Sequence, residues 1–534
     1  AFLPDGRFLV TERGGRMTLY PPGGGAGVAL AGLPEVFAEG QGGLFDVLVP
    51  RDFAQSGEIL FAYAGRFTDM PAGLYNLLAP GGIDKYDTDR IYESYATGDN
   101  YINQDIWGVS GVGEWSLGES TVLTSTTSYR SSDLVNSGDL DGSPFNILHE
   151  LDDISQDQFT QEFKLSGSGF DDRLRYTGGL FYLREKASHF IDVDIMSDLP
   201  IFPFWGFNDR HVNADQTQKS YAAYGQADYF LTEQLSVTAG LRYTHEKKKA
   251  NISTRRNVAN IWELAPADYT ADWSAWTPRL GLNYKWDDTL MTYASVAKGF
   301  KSGGFNGRAA APGTEGPFNP EYVWTYEAGL KSEFFDRRAR LNLAAFVNDY
   351  KDMQFGVSSL AADGVTLLLG QENAAGAKIK GVEAEFSAAP FRGFELTATL
   401  GYLDAYFTEV SPAATEITID SELMGTPKWT LSLAARYDFQ VEGAGDFTLA
   451  ADYSYRSKIY FNPLNTPGIT AVLPLVNIQG TFKPAGTDLT LAVGATNLFD
   501  KEYYASGLGP AGLGMIRGVV GRPREWFARV SYDF

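Results

Sequence analysis

The chain has 534 residues, of which 66 are acidic and 44 are basic, so its formal net charge is −22. This charge argues against a nucleic-acid partner, because phosphate binding relies on basic side chains. The absence of cysteine excludes a disulfide scaffold and thiolate metal ligands. No run of about 18 uncharged apolar residues is present, so no membrane-spanning helix is predicted. The chain begins with Ala1, without Met or a signal peptide, which indicates a processed N-terminus or a piece of a longer protein.

Residues 1–65 predict a short β-rich segment. Phe2–Tyr20 is typical of a β-hairpin that turns at Gly14-Gly15, and Glu58–Tyr63 of a further strand. Between them lies the sequence Gly40-Gln-Gly-Gly-Leu-Phe-Asp-Val47. In this order the elements resemble the first blade of the pyrroloquinoline-quinone-dependent aldose (glucose/sorbosone) dehydrogenases, which are β-propellers.

That resemblance places Gln41 near the quinone, and it implies pyrroloquinoline quinone and calcium as cofactors of a complete dehydrogenase. The family's catalytic base is a histidine from a later blade, which takes the proton of the sugar hydroxyl. No later blade is visible, and one blade cannot close a propeller. We therefore expect a propeller-like fragment without enzyme activity, in which Gln41 is a loop residue; a working cofactor ligand is the alternative. All four histidines lie further along the chain: His149, His189, His211 and His245.

Residues 66–104 predict an irregular junction, and from Asp105 onward the chain changes character. Segments of about 10–15 residues alternate apolar and polar side chains, as transmembrane β-strands do. Thr121–Tyr129 and Leu235–Tyr243 are examples. About 17 such strands are predicted, against the even number expected of a closed bacterial barrel, so the first strands are expected to be missing. An alternative is that the N-terminal hairpins complete the barrel edge.

The connections between these segments alternate between tight and long. Leu117–Ser120 and Trp286–Thr289 are examples of the tight turns. This alternation is typical of hairpins that cross a bilayer in the same sense, and a soluble β-sandwich is the alternative. The long polar connections are predicted at 131–156, 191–217, 247–272, 302–320, 353–373, 408–426, 461–471 and 505–522.

The last strand closes the chain on an aromatic residue. Its apolar face is typical of the terminal strand that outer-membrane barrels use in assembly, and it carries Trp526, Val530, Tyr532 and Phe534.

Five segments, in order, resemble the TonB-dependent outer-membrane receptors over residues 67–534. They are Tyr293–Asn306, Tyr326–Lys331 with Leu341–Gln354, Lys380–Glu385, Ala495–Tyr504 and the terminal strand. The resemblance implies an all-β fold: an antiparallel transmembrane barrel of a 22-stranded family in the outer membrane of a Gram-negative bacterium. Residues 105–534 are the predicted partial barrel.

The function implied by the resemblance is active uptake of a scarce nutrient, with a ferric siderophore as the favoured ligand. The implied partners are outer-membrane lipid and lipopolysaccharide, a small iron chelate, and the energy-coupling TonB protein. That coupling acts through an N-terminal plug, and no plug is visible in this sequence. An unplugged passive pore is therefore a further alternative, besides a dehydrogenase remnant.

Candidate ligand contacts lie in the loop 191–217, where an aromatic cluster is suited to gripping a sugar or an aromatic chelator; packing of the loop on itself is the alternative. The cluster consists of Phe202, Phe204, Trp205 and Phe207. The aspartates between Asp133 and Asp157 lack regular ligand spacing, so a solvated loop is favoured over a calcium site. Lys247–Lys249 favours a solvated rim, with contact to anionic lipid or lipopolysaccharide as the alternative.

Overall fold

The protein is described here by a computed structural model. It describes short strands between residues 8 and 63, and the chain from 98 to 532 with internal gaps. The gaps are 141–145, 147, 196–209, 258–259, 361–366, 413, 415–416, 463–464, 466–469 and 509–516. No helix in the described ranges is long and apolar enough to cross a membrane.

The N-terminal part contains two small antiparallel sheets. Strands β1 (Phe8–Glu12), β2 (Arg16–Tyr20) and β3 (Val28–Ala29) form the first, and β4 (Leu44–Leu48) pairs with β5 (Leu60–Tyr63) in the second. The predicted hairpin is confirmed, because β1 and β2 pair around residues 13–15. The domain boundaries near residues 65 and 104, and the propeller-like nature of this part, stay predictions.

Seventeen strands of the described chain form one barrel, in which each strand pairs with its sequence neighbour. They are β6 (Tyr101–Ser116), β7 (Thr121–Asp139), β8 (Leu148–Gly169), β9 (Leu174–Ile195), β10 (Arg210–Phe230), β11 (Leu235–Arg256), β12 (Ile261–Lys285), β13 (Leu290–Lys301), β14 (Glu321–Phe334), β15 (Ala339–Leu360), β16 (Leu367–Ala388), β17 (Phe394–Val410), β18 (Trp429–Val441), β19 (Gly445–Tyr460), β20 (Thr470–Pro484), β21 (Leu489–Thr496) and β24 (Glu525–Tyr532).

The strand order returns from β24 to β6, so the barrel closes with an odd number of strands. The other neighbours are antiparallel, and therefore β24 and β6 run in the same direction. Their seam is the least covered part of the barrel, because nearly every residue of both strands is exposed. The predicted count of about 17 strands is confirmed, and it agrees with the prediction that the first strands of the family's barrel are missing.

The two kinds of connection lie at opposite ends of the barrel, as predicted. The tight turns span 117–120, 170–173, 231–234, 286–289, 335–338, 389–393, 442–444 and 485–488. The long connections span 140–147, 196–209, 257–260, 302–320, 361–366, 411–428, 461–469 and 497–524, the last containing the hairpin of β22 (Tyr504–Leu508) and β23 (Arg517–Val520).

Several long connections are shorter than predicted, because the strands continue beyond the apolar segments. The loop predicted at 131–156 is confined to 140–147, and the one predicted at 247–272 to 257–260. The aspartates assigned to the first loop therefore lie mostly on β7 and β8. Only 302–320 has the predicted bounds.

An apolar band encircles the outer face at the short-turn end. On β10 it runs from Tyr221 to Tyr229, and on β12 from Trp276 to Tyr284, and these aromatic residues are exposed. Each of these segments is nine residues long, including both aromatic residues, and this matches the length of a transmembrane strand, which is about 9–11 residues. Alternation along each strand then assigns the other face to the barrel interior.

Gly393 lies in the turn between β16 and β17, where its backbone packs closely against Asp438 of β18. Its φ is +83°, and a Cβ added there would overlap the carbonyl oxygen of Asp438. Gly443 also has a positive φ, of +75°, but open space around it. We expect Gly393→Ala to cost about 1–2 kcal/mol more than Gly443→Ala, because only the former adds a clash to the backbone strain. Urea unfolding of both variants measures the difference, and equal losses would contradict the packing.

Candidate functional site

The candidate site is the interior of the barrel at its long-loop end. Residues 302–320, the inner loop, connect β13 to β14 and fold against the inner wall instead of projecting outward. Ala309 and Ala310 are 0% and 4% exposed. The inner loop therefore narrows the mouth of the barrel.

Hydrogen bonds within the inner loop fold it into a hairpin-like unit. The backbones of Gly304 and Phe318 bond to each other in both directions, at 3.2 and 3.0 Å. Further along, the backbone N–H of Asn306 donates to the carbonyl of Glu315 at 2.8 Å, and the Asn306 amide donates to the carbonyl of Thr314 at 2.9 Å. Buried backbone groups are thus satisfied without regular secondary structure.

Two amide side chains from the neighbouring strands fix the base of the inner loop. The Gln354 Nε2 group donates to the carbonyls of Ser302 and Asn319, at 2.9 Å each. The Asn373 Nδ2 group also donates to the Asn319 carbonyl, at 2.8 Å. Both ends of the inner loop are therefore tied to β15 and β16.

The tip of the inner loop packs on β11 and β12. Ala309 lies in a buried cluster with Ala250, Ile252 and Leu264. The Thr254 hydroxyl donates to the Ala309 carbonyl at 2.5 Å. Small side chains on both surfaces permit this close approach. Phe305 adds aromatic contacts, with ring centroids 6.0 Å from Tyr269 and 6.3 Å from Trp273.

Arg308 ties the inner loop to β8. Its guanidinium bonds to both carboxylate oxygens of Glu150, at 2.7 and 3.2 Å, and reaches Asp152 at 3.4 Å. His189 of β9 contacts the same oxygen of Asp152, with 2.8 Å between Nε2 and Oδ1. These residues lie on the strand extensions beyond the apolar band, where the mouth opens.

The pKa values of Asp152 and Arg308 favour the charged forms of these two residues. Burial acts to raise the pKa of Asp152, but the hydrogen bond with His189 and the charge of Arg308 outweigh it and lower that pKa. Burial likewise acts against the charge of Arg308, yet the hydrogen bond and charge of Glu150 raise the pKa of the guanidinium. In the latch, which consists of Arg308, Glu150, Asp152 and His189, Arg308 and Asp152 are therefore held in their charged forms.

A second connection, 411–428, also folds onto the inner wall in its described part. Ala414, Ile417 and Leu423 are buried together with Ala377 of β16 and Phe407 of β17. The mouth is thus narrowed by two inward connections, the inner loop and 411–428.

Below the inner loop the wall carries polar and charged side chains. Tyr224 reaches across β9 to donate to Glu162 at 2.8 Å, a path kept free by Gly179, where a Cβ would meet the Tyr224 hydroxyl. Arg242 lies over the Tyr224 ring at 5.6 Å, and Lys248 over Trp273 at 5.9 Å. Such a lining suits a water-filled passage or a polar, aromatic-bearing ligand.

Most of the residues predicted to form a site from the sequence lie outside the described part of the chain. Gln41 and the aromatic cluster Phe202, Phe204, Trp205 and Phe207 lie outside the described residues, so their roles stay predictions. On β24, Trp526, Val530 and Tyr532 share the outward face and are 69%, 70% and 56% exposed; Phe534 is not among the described residues. No group of potential metal ligands occurs in the described chain.

The sequence did not predict the latch. It also did not predict the hydrogen bonds of the Gln354 and Asn373 amides to the base of the inner loop, named here the amide clamps. Arg308 lies 158 positions from Glu150, and neither belongs to a motif. The available signal was the glycine-rich run Gly303-Gly-Phe-Asn-Gly307, which permits a connection to approach a wall closely.

Together, the short turns at one end, the long connections at the other and the apolar outer band define an outer-membrane β-barrel. A profile of the family "TonB dependent receptor-like, beta-barrel" matches residues 50–498. The chain belongs to this family, whose members lie in the outer membrane of Gram-negative bacteria. A second profile, "Glucose / Sorbosone dehydrogenase", matches residues 1–80.

Two relatives represent the two parts of the chain. The metal-pseudopaline receptor CntO of Pseudomonas aeruginosa is 27% identical over 265 residues, which are 50% of this chain and 34% of that receptor. The aldose sugar dehydrogenase YliI of Escherichia coli is 46% identical over 74 residues, 14% of this chain and 20% of that enzyme. The chain thus spans about a third of the receptor it matches.

Among solved structures, the ferric yersiniabactin uptake receptor FyuA from Yersinia pestis has a similar fold. The TM-score is 0.69 with 17% sequence identity, and the match covers 82% of this chain and 63% of that one. At this identity the likeness confirms the all-β barrel fold alone.

Proposed function

We propose that this chain is the barrel part of an energy-coupled outer-membrane receptor that binds a metal chelate, with a ferric siderophore as the favoured ligand. The observation that carries the proposal is membership of the receptor family together with the kind of relatives found. Besides CntO, they include a ferric-pyoverdine 358 receptor of Pseudomonas putida, 24% identical over 58% of this chain and 35% of that receptor.

The mouth described above supports ligand binding rather than free passage. An inner loop fixed by a latch and two amide clamps presents a defined surface, on which a ligand can be held without first ordering a flexible chain. Aromatic and charged side chains, among them Trp273, Lys248 and Arg242, line the wall beneath it. These groups fit a chelate that combines rings with carboxylates or phenolates.

The energy-coupling TonB protein is proposed as a partner of the whole receptor, through a plug that fills the barrel. Because the chain spans only part of its receptor relatives, active transport is a proposal for the complete protein. Binding at the outer mouth is the part of the function that this chain can be tested for directly.

A second function is favoured by the N-terminal match to sugar dehydrogenases. Residues 1–65 would then be a remnant of a quinone enzyme, and Gln41 would contact the cofactor only in a complete propeller. We expect no dye reduction from this chain with pyrroloquinoline quinone, calcium and glucose, because neither a further blade nor a catalytic histidine was found in residues 1–65.

The proposal is tested in a Gram-negative host that lacks its own siderophore receptors and expresses residues 1–534. Radioactive ferric chelates of the hydroxamate, catecholate and aminocarboxylate classes are offered to chilled cells. We expect saturable binding of one class, abolished by excess non-radioactive chelate of that class. Sugar permeation without saturable chelate binding would instead identify a passive pore and contradict the proposal.

A further inference from the structure

Three basic residues lie side by side on the outer face of the barrel. Arg184 of β9 is paired with Lys219 of β10, and Lys219 is paired with Lys247 of β11. All three side chains are exposed. The row, named here the basic row, therefore places three positive charges on adjacent strands in directly opposite positions.

Such a row opposes folding, because like charges directly opposite each other on neighbouring strands are destabilising. At another place in the barrel, a similar pair of opposing cations is neutralised by a carboxylate. Arg210 and Arg256 are also paired across β10 and β11, and Glu263 lies between them, with ion pairs of 2.7 and 2.6 Å. Among the described residues no acid forms an ion pair with a member of the basic row.

The nearest acids leave the row positive. Asp272 is the register partner of Lys247 without forming an ion pair. Two residues further towards the long loops, on the same face, Lys186 and Lys249 add two cations, and Asp157 accepts a hydrogen bond from Tyr129 at 2.6 Å. A depression of about 530 Å³ lies there, lined by Lys186 and Lys249 and also by the carboxylates Asp157, Asp215 and Asp268, so the excess positive charge is confined to the basic row itself.

The position of the basic row along the barrel axis indicates which part of the membrane lies beside it. Two residues further towards the short turns, on the same face, Tyr182 and Tyr221 are paired, with ring centroids 5.2 Å apart. Tyr221 is the upper end of the apolar band on β10. Aromatic residues of this kind mark the boundary between hydrocarbon and headgroups. The basic row is therefore at the level of the outer-leaflet headgroups, immediately above that boundary.

We propose that the basic row is a binding site for the phosphate groups of an outer-leaflet glycolipid. Cations aligned on a rigid sheet match the anionic headgroup, and charge-assisted hydrogen bonds to phosphate oxygens would remove the repulsion between them. The tyrosines below would contact the first part of the acyl chains. This site is on the lipid-facing surface and is separate from the proposed chelate site in the mouth.

The test compares lipid A, which carries two phosphates, with dephosphorylated lipid A, on the full chain in neutral detergent. The variant Arg184→Gln/Lys219→Gln/Lys247→Gln removes the row. The control Arg337→Gln/Arg338→Gln/Arg340→Gln removes the same charge at a short turn. We expect the first variant to bind lipid A about a hundredfold more weakly, since each basic residue near a headgroup contributes a factor of about five and three are removed. The control should bind as the wild type does.

Two further measurements distinguish a lipid site from a structural role of the basic row and from a site for free phosphate. Without lipid A, the row variant should melt at the same temperature as the wild type or higher, because it loses repulsion; a lower melting temperature would mean that the row supports the fold. Inorganic phosphate at millimolar concentration should not displace lipid A. Displacement by phosphate, equal binding of dephosphorylated lipid A, or unchanged binding by the row variant would each overturn the proposal.

Discussion

Replacing Glu263 with alanine is expected to destabilise the long-loop end of the barrel by about 3–5 kcal/mol, the cost of removing one partner from a buried ion-pair network. The Glu263 side chain is only 8% exposed and holds Arg210 and Arg256, which are paired across β10 and β11. Without the carboxylate, two guanidinium groups face each other in a poorly solvated place. Urea unfolding, followed by tryptophan fluorescence, measures the loss.

Glu333→Ala is a matched control for this prediction. Glu333 also lies between two arginines, Arg337 and Arg340, at 3.4 and 3.0 Å, but those arginines are 66% and 60% exposed. An exposed network of this kind contributes about 0–1 kcal/mol. Equal effects of the two substitutions would show that burial of Glu263 has no energetic consequence, and would contradict the packing described for β10 to β12.

Replacing Arg308 with methionine is expected to release the inner loop from β8. The substitution keeps an apolar stem but leaves Glu150 and Asp152 without their cation. Because Arg308 is 40% exposed, solvent screening reduces the expected cost to about 2 kcal/mol. If closing the inner loop becomes less favourable by this free energy, the population of its open state rises about thirtyfold.

Hydrogen exchange at the backbone amides of Gly304, Asn306 and Phe318 reports this opening, because these amides are bonded within the inner loop. Their protection should fall about thirtyfold in Arg308→Met. Arg436→Met removes an exposed ion pair with Asp438 near the short turns and should leave that protection unchanged. Unchanged protection in Arg308→Met would mean that the amide clamps and the Ala309 contact fix the inner loop without the latch.

The barrel was predictable because alternation along a strand is a local property of the sequence. In Trp276–Tyr284 every second residue faces lipid, and apolar side chains reveal it directly. The strand extensions were mistaken for loops for the same reason. Beyond the hydrocarbon the outward side chains are polar, as with Lys247 and Asp272, so both faces look hydrophilic although the strand continues.

The site was not predictable because it depends on register and on distant contacts. The latch joins Arg308 to residues on β8, and the basic row exists only because three strands align Arg184, Lys219 and Lys247. A shift of one residue would turn a row member inward. The sequence did predict that Lys247–Lys249 lies on a solvated rim. It contained no information on which strands lie beside this segment.

We propose that a metal chelate binds in the mouth beneath the inner loop, where it should quench the fluorescence of Trp273. Trp273 lies beside Phe305 and Lys248, where the chelate is expected. One class of ferric chelate should quench the purified chain saturably, and Trp273→Phe should lose most of that signal while still binding. The absence of saturable quenching by every chelate class, or full quenching in Trp273→Phe, would contradict the account.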